Sequence, residues 1–201
     1  MLVGLGLGPG DPELLTLRAV RLIKEADVVF VPGKIAYNLV LPYREAEILE
    51  FPMTEDEGII RDCMERNSER IAGVAMEGMA VLGILGDPNF FSTFSRLCEV
   101  MEQRHPDIRF CTEPGVSSIT AFASVAGISL SDGFLVTDGR EPRYRIILKV
   151  RKPKLIAEKL MQEGYSSFIL VERMFMGDTK IFSTDNLPET SDYMSIMYAG
   201  R

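Results

Sequence analysis

The feature that most restricts this chain is a turn. An apolar opening, Met1 to Leu7, carries glycines at positions 4, 6, 8 and 10 and runs straight into Asp11-Pro12. Asp suits a helix N-cap and Pro suits the first helical position, so a strand, a glycine-rich turn and a helix to about Glu25 are expected in succession. Such glycines let backbone come close to a ligand and point amide groups at it. The spacing excludes two familiar phosphate binders. A G-x-G-x-x-G frame set at Gly4 puts Pro9 on its third glycine, and one set at Gly6 puts Asp11 there. No G-x-x-x-x-G-K-[ST] is present.

Two more turns share this construction. Leu85-Gly86-Asp87-Pro88 closes Met79–Leu85, a nearly unbroken apolar run of the kind found in parallel strands covered on both faces. Asp87 there is either a helix cap or a carboxylate offered to a cationic ligand. Glu113-Pro114-Gly115-Val116-Ser117-Ser118 follows a strand at Ile108–Cys111 and opens a short helix of small residues ending near Ala126. Open α/β sheets bind ligands at the carboxyl ends of their strands, so three such turns on a parallel sheet converge on one crevice.

The remaining pattern fills in around them. Leu14, Leu17, Leu22 and Ile23 mark the apolar face of the first helix. Strands are expected at Asp27–Val31, stopped by Pro32-Gly33, and at Glu47–Phe51. Thr54 and Glu57 read as a capping box opening a helix toward Gly78, and another helix runs from about Phe90 to Gln103. Beyond Ala126 strands outnumber helices: Gly133–Val136, Arg145–Val150, Ser167–Val171, Lys180–Ser183 and Tyr193–Tyr198 against one helix at Pro153–Gln162. That texture suggests a mixed sheet. The expected organisation is therefore α/β in two domains, 1–112 with a mainly parallel sheet and 113–201 with a mixed one.

Charge and composition narrow the partners. Lys and Arg number 22 against 29 Asp and Glu, a net charge of −7, which excludes a nucleic-acid backbone as the main partner. A local basic patch for a small polyanion is still compatible with that surface. Three cysteines without a C-x-x-C pair argue against a disulfide framework or zinc site and for a reducing compartment, the cytoplasm. His105 is the only histidine, so no metal centre is expected. No basic leader opens the chain, and no run reaches the roughly 20 apolar residues of a membrane span. Met174 and Met176 read as packing residues, and the charges from Arg61 to Arg70 as the solvated face of a helix.

These residues also carry a family resemblance. Gly6-Leu7-Gly8-Pro9-Gly10-Asp11-Pro12-Glu13-Leu14-Leu15-Thr16, Gly86-Asp87-Pro88 and Pro114 to Ser118 resemble, in order, the motifs of the tetrapyrrole methylases. The resemblance implies two α/β domains with S-adenosylmethionine (SAM) in a cleft between them, S-adenosylhomocysteine (SAH) as product, and pairing with a second copy as a homodimer. Val31-Pro32-Gly33-Lys34, Leu49 to Thr54, Leu85 to Thr93 and Ile147 to Val150 are similar to the branch that methylates carbon 20 of precorrin-2 or cobalt-precorrin-2 in cobalamin synthesis. The segment from Gly33 to Glu47 is shorter than that branch's pattern.

Carried over by position, the resemblance implies cofactor contacts at Leu7 and Pro9, at Gly86, Asp87 and Phe90, and at Ser117 and Ser118. It implies further contacts at Lys149, Arg173, Met174, Tyr198 and Ala199. A tetrapyrrole bears several carboxylates, which need Arg or Lys partners. Lys34 and Arg96 lie near the turns, and Arg140, Arg143 and Arg145 form a cluster that is either a substrate patch or a solvated hairpin. The implied chemistry is in-line methyl transfer to a nucleophilic ring carbon, followed by loss of a proton to a base. A sibling acting at another ring carbon, or a binding module without activity, are the competing readings.

Overall fold

The computed structural model describes all 201 residues. They form two compact units, Met1–Phe134 and Leu135–Arg201. The division falls at 134/135 and not near 112/113, because the strand and helix that follow residue 109 belong to the first unit's sheet and its turns.

In the first unit the strands are β1 (Leu2–Gly6), β2 (Val28–Val31), β3 (Ala46–Ile48), β4 (Ala80–Ile84) and β5 (Phe110–Glu113). The helices are α1 (Leu17–Glu25), α2 (Lys34–Val40), α3 (Glu57–Ala75), α4 (Phe94–Arg104) and α5 (Ser118–Ala126). The sheet runs β3-β2-β4-β1-β5 and every pair in it is parallel. β1 and β4 are buried along their whole length. One face of the sheet packs Leu2, Phe30 and Leu82 against Met64 and Ile71 of α3 and Phe94 and Leu97 of α4. The other packs Val3, Leu5 and Val29 against Ala19 and Ile23 of α1 and Leu39 and Val40 of α2. Full burial of one such side chain contributes about 1.5–3 kcal/mol, which is why these strands read as continuous apolar runs.

Local chemistry corrects several expected boundaries. The first helix is split: Asp11 caps a 3-10 turn over Pro12–Leu14, Leu15 is extended, and Thr16 restarts the chain by accepting the Ala19 N–H. Leu17 consequently faces solvent, at 93% exposure, and Ala19 takes the core position with Ile23. The cap of α3 is Asp56, whose Oδ1 accepts the N–H groups of Gly58 and Ile59, while Thr54 only receives the Asp56 N–H. α2 fills the segment after Gly33 that no capping signal had announced. α5, capped by Ser117 and ended by Gly127 in the left-handed region, buries no side chain.

The second unit holds β6 (Tyr144–Leu148), α6 (Pro153–Gln162), β7 (Ser167–Glu172), β8 (Lys180–Ser183) and β9 (Ser195–Gly200). Its sheet, β6-β9-β7-β8, is antiparallel at every pair and so is not mixed. α6 carries the chain from β6 to β7, which run the same way, but β9 lies between the two and opposes both. Gly133–Val136 forms no strand, since no ladder partner lies beside it and Asp132-Gly133 and Asp138-Gly139 favour turns. Phe168, Leu170, Met197 and Ala199 pack with Ala157 and Leu160 of α6 and with Leu187. The opposite face carries Tyr144, Ile146, Leu148, Ile169 and Ile181, all exposed. No helix of the chain is long and apolar enough to cross a membrane.

Candidate functional site

β4, β1 and β5 are neighbours in one parallel sheet, so the turns that leave them emerge side by side. They are joined backbone to backbone. Gly8 and Gly86 exchange hydrogen bonds, Gly86 N–H to Gly8 C=O at 2.7 Å and Gly8 N–H to Gly86 C=O at 3.3 Å. A Cβ on Gly6 would sit 2.8 Å from the Gly86 carbonyl oxygen. One on Gly115 would lie 2.7 Å from the Gly6 backbone and collide with that same Gly86 oxygen. Three glycines, one from each turn, therefore share a space that admits no side chain.

Asp87 fastens the second turn to the third. Its carboxylate is 7% exposed, and Oδ2 accepts the Gly115 N–H at 3.2 Å. Oδ1 accepts from both the backbone and the side chain of Asn89, at 2.9 and 3.1 Å. It is neither the cap of α4, whose N-cap is Thr93, nor a free carboxylate. Beyond this joint the backbone opens. Gly10, with φ +126, has no atom within 4 Å of where a Cβ would stand. Phe90 is exposed and Phe91 more so, the latter with a left-handed φ of 51. Ser117 and Ser118 start α5, where unbonded amides and a hydroxyl meet the positive end of the helix.

The structure thus brings Pro9, Gly86, Asp87, Phe90, Ser117 and Ser118 onto one end of the first sheet. Leu7 is corrected: it has no exposed surface, and its side chain lies in the core against Gly83. It supports the turn from beneath. Arg96, in the first turn of α4, pairs with Glu57 at 3.5 Å, and Lys34 is exposed at the start of α2. Gly115 was missed as a site residue, although Pro114-Gly115 after a strand was the visible signal.

In the second unit Lys149 and Arg173 stand just past β6 and β7, both with left-handed φ, at 55 and 50. They hydrogen-bond to successive carbonyls at the start of β9, Lys149 N–H to Ser195 and Arg173 N–H to Met194. The Asp178 carboxylate grips Arg173 Nε at 2.6 and 2.8 Å, and this pairing holds the Asp178 carboxyl below the usual range while raising the guanidinium. Met174 is exposed beside it. Tyr198 lies within β9, its ring stacked on Tyr144 at 5.7 Å. Ala199 is corrected to a core residue, because its side chain faces α6 with no exposed surface. Arg145 bonds Glu163 at 2.8 Å, Arg140 is 3.5 Å from Asp138, and Arg143 is exposed. Arg151 and Tyr193 were not anticipated, although the alternation Lys149-Val150-Arg151 was a signal that could have found them.

Residues 1–184 match the family model of the Tetrapyrrole (Corrin/Porphyrin) Methylases. A Methanocaldococcus jannaschii protein described as "Probable cobalt-precorrin-2 C(20)-methyltransferase" is 30% identical over 96% of this chain and 93% of its own length. The "Uroporphyrinogen-III C-methyltransferase" of the same organism is 29% identical over 78% of this chain and 66% of its own. Among solved structures the methyltransferase CobJ superposes with a TM-score of 0.51, at 20% identity over the whole chain and 93% of its own length, which shows a shared fold.

Proposed function

The chain belongs to the tetrapyrrole methylases, and from that premise we propose that it methylates carbon 20 of precorrin-2 or cobalt-precorrin-2. Membership carries the coarser statement: SAM-dependent methyl transfer to a tetrapyrrole of the cobalamin or siroheme routes. The observation that carries the finer one is the relative aligned along nearly the full length of both chains. The uroporphyrinogen methylase leaves about a third of its own length unmatched.

The residues present fit the cofactor. A cradle that excludes a side chain at Gly6 and Gly115, with left-handed backbone at Gly86 and open backbone of positive φ at Gly10, suits a ligand held by main-chain groups. Pro9, Gly86, Asp87, Phe90, Ser117 and Ser118 of the first unit would hold SAM. When bound, SAM supplies an electrophilic methyl group on a sulfonium. The chain's own residues bind and orient: Asp87 fixes turn two to turn three, so both present their amides at constant spacing. Lys34, Arg96, Arg140, Arg143 and Arg145 are the proposed partners of the substrate's carboxylates. Pairing with a second copy is part of the same proposal, and sedimentation at micromolar concentration tests it.

The decisive experiment supplies SAM with precorrin-2, cobalt-precorrin-2 or uroporphyrinogen III in separate reactions. The expected result is one added methyl group, placed at carbon 20 by NMR, on a precorrin-2 form. Methylation of uroporphyrinogen III alone would move the chain to the sibling reading. SAM binding with no methylation of any of the three would make it a binding module.

A further inference from the structure

The cations expected at the cofactor and the substrate are mostly neutralised by neighbours. Arg96, Arg140, Arg145 and Arg173 all lie in ion pairs with carboxylates. Two cations of the second unit are different. Lys149 Nζ stands 5.6 Å and the Arg151 guanidinium 5.1 Å from the centroid of one ring, Tyr193, and neither has an ion-pair partner. Two like charges beside one ring repel, and one aromatic ring offsets little of that at an exposed site. An anion near both would remove the repulsion.

The arrangement is built and not incidental. Lys149 and Arg151 both approach the Tyr193 ring, while Val150 between them is 1% exposed in the core. The backbone beneath is stapled to the segment that carries Tyr193 into β9. The hydroxyls of Ser191 and Ser195 both donate to the Val150 carbonyl, at 2.5 and 2.7 Å. The Ser191 N–H donates to the Arg151 carbonyl at 3.2 Å and the Lys149 N–H to the Ser195 carbonyl at 2.9 Å. Lys149 accepts a left-handed backbone, rare for a side chain of its size, to complete the last of these. Tyr193 and Met194 add exposed apolar surface beside the two charges.

We propose that Lys149, Arg151 and Tyr193 form a carboxylate-binding subsite of the second unit. The guanidinium offers a fork for two carboxylate oxygens, the ammonium a point charge, and the ring a flat apolar wall. The inference rests on the reading of the chain as a tetrapyrrole methylase, where carboxylates come from two sources: the side chains of the macrocycle and the amino-acid end of the cofactor.

The test compares the wild-type protein with Lys149→Gln, Arg151→Gln and the double variant, using Lys159→Gln on α6 as a charge-matched control. Three quantities are measured: the KM for cobalt-precorrin-2, and by calorimetry the affinities for SAH and for 5′-methylthioadenosine, which lacks the carboxylate. A rise of about tenfold in KM in the double variant, steeper at low salt, assigns the subsite to the substrate. A comparable loss of SAH affinity with 5′-methylthioadenosine unchanged assigns it to the cofactor. Wild-type-like values for all three quantities in a folded double variant overturn the proposal and leave the family reading intact. Failure of the wild-type protein to bind SAH would instead overturn the reading on which it rests.

Discussion

The two units put their candidate residues to work in opposite ways. In the first, the central strands β1 and β4 are buried on both faces and the turns meet through glycine backbone, with Gly6, Gly86 and Gly115 in mutual contact. In the second, burial alternates along β7 and β9, and the chain ends its strands on bulky residues held in left-handed conformation. There the chemistry sits on side chains: Lys149, Arg151, Arg173 and Tyr193. The difference teaches how each should respond to substitution. A backbone site tolerates no added atom, whereas a side-chain site loses affinity in steps.

The largest effect tests that contrast directly. Gly115→Ala places a methyl group against backbone of Gly6 and Gly86, which cannot rotate away. Overpacking of this kind costs about 1–3 kcal/mol or more, a fall of roughly 3–10 °C in Tm for a chain of this size, and SAH binding should be lost. Gly73→Ala is the control, near the C-terminal end of α3 with open space around it. It should raise stability by about 0.5–1 kcal/mol through helix propensity and leave SAH binding alone. Retention of SAH binding by a folded Gly115→Ala protein would break the contrast.

A smaller effect is expected at Asp87. Replacing it by Ala leaves the Gly115 N–H without its acceptor and costs about 1–3 kcal/mol, with at least a tenfold loss of SAH affinity. Asp87→Asn keeps the shape and should lose less. Asp56→Ala removes the cap of α3, costs about 1 kcal/mol and should not touch SAH affinity. If Asp87→Ala lowers Tm while SAH still binds normally, the clamp serves the fold alone.

How much of this was legible in the sequence follows the same division. Three of the first unit's strands, β1, β2 and β4, could be read because they are nearly free of polar residues, and its turns because Gly and Pro have few other uses after a strand. What the sequence could not reveal is that Thr16 and Asp56 outcompete Asp11 and Thr54 as α-helix caps, since all four are good N-cap residues and tertiary packing chooses among them. Nor could it show that Asp87 turns inward to Gly115, a contact 28 residues away in sequence. In the second unit the strands were found but not their pairing, because alternation gives a face and not a neighbour. The arginines looked like a patch by count, and ion pairing with Asp138, Glu163 and Asp178 decides which of them stay available.

The smallest expected effect separates the units by acid. Each has a carboxylate held below its usual range by an arginine: Glu69 by Arg104 in the first unit and Asp178 by Arg173 in the second. A depressed carboxyl binds its proton more readily in the unfolded chain. The stabilisation is therefore complete above the unfolded value and is lost as pH falls through the folded one, a window lying below about 4.5 for Glu69 and below about 3.8 for Asp178. Both pairs are exposed, so salt should shrink the effect. Their placement predicts different readouts. Arg104 of α4 bonds Glu65 and Glu69 of α3, so that pair ties two helices of one core together. Glu69→Gln should therefore flatten the acid limb of global unfolding. The Asp178 pair closes only the loop after β7, where Thr179 Oγ also donates to the Arg173 carbonyl. Asp178→Asn should leave the global transition in place and speed hydrogen exchange at residues 173–179. If Asp178→Asn instead shifts the whole unfolding curve while Glu69→Gln does not, the second unit's loop carries its fold, and the division between a backbone-built and a side-chain-built unit fails.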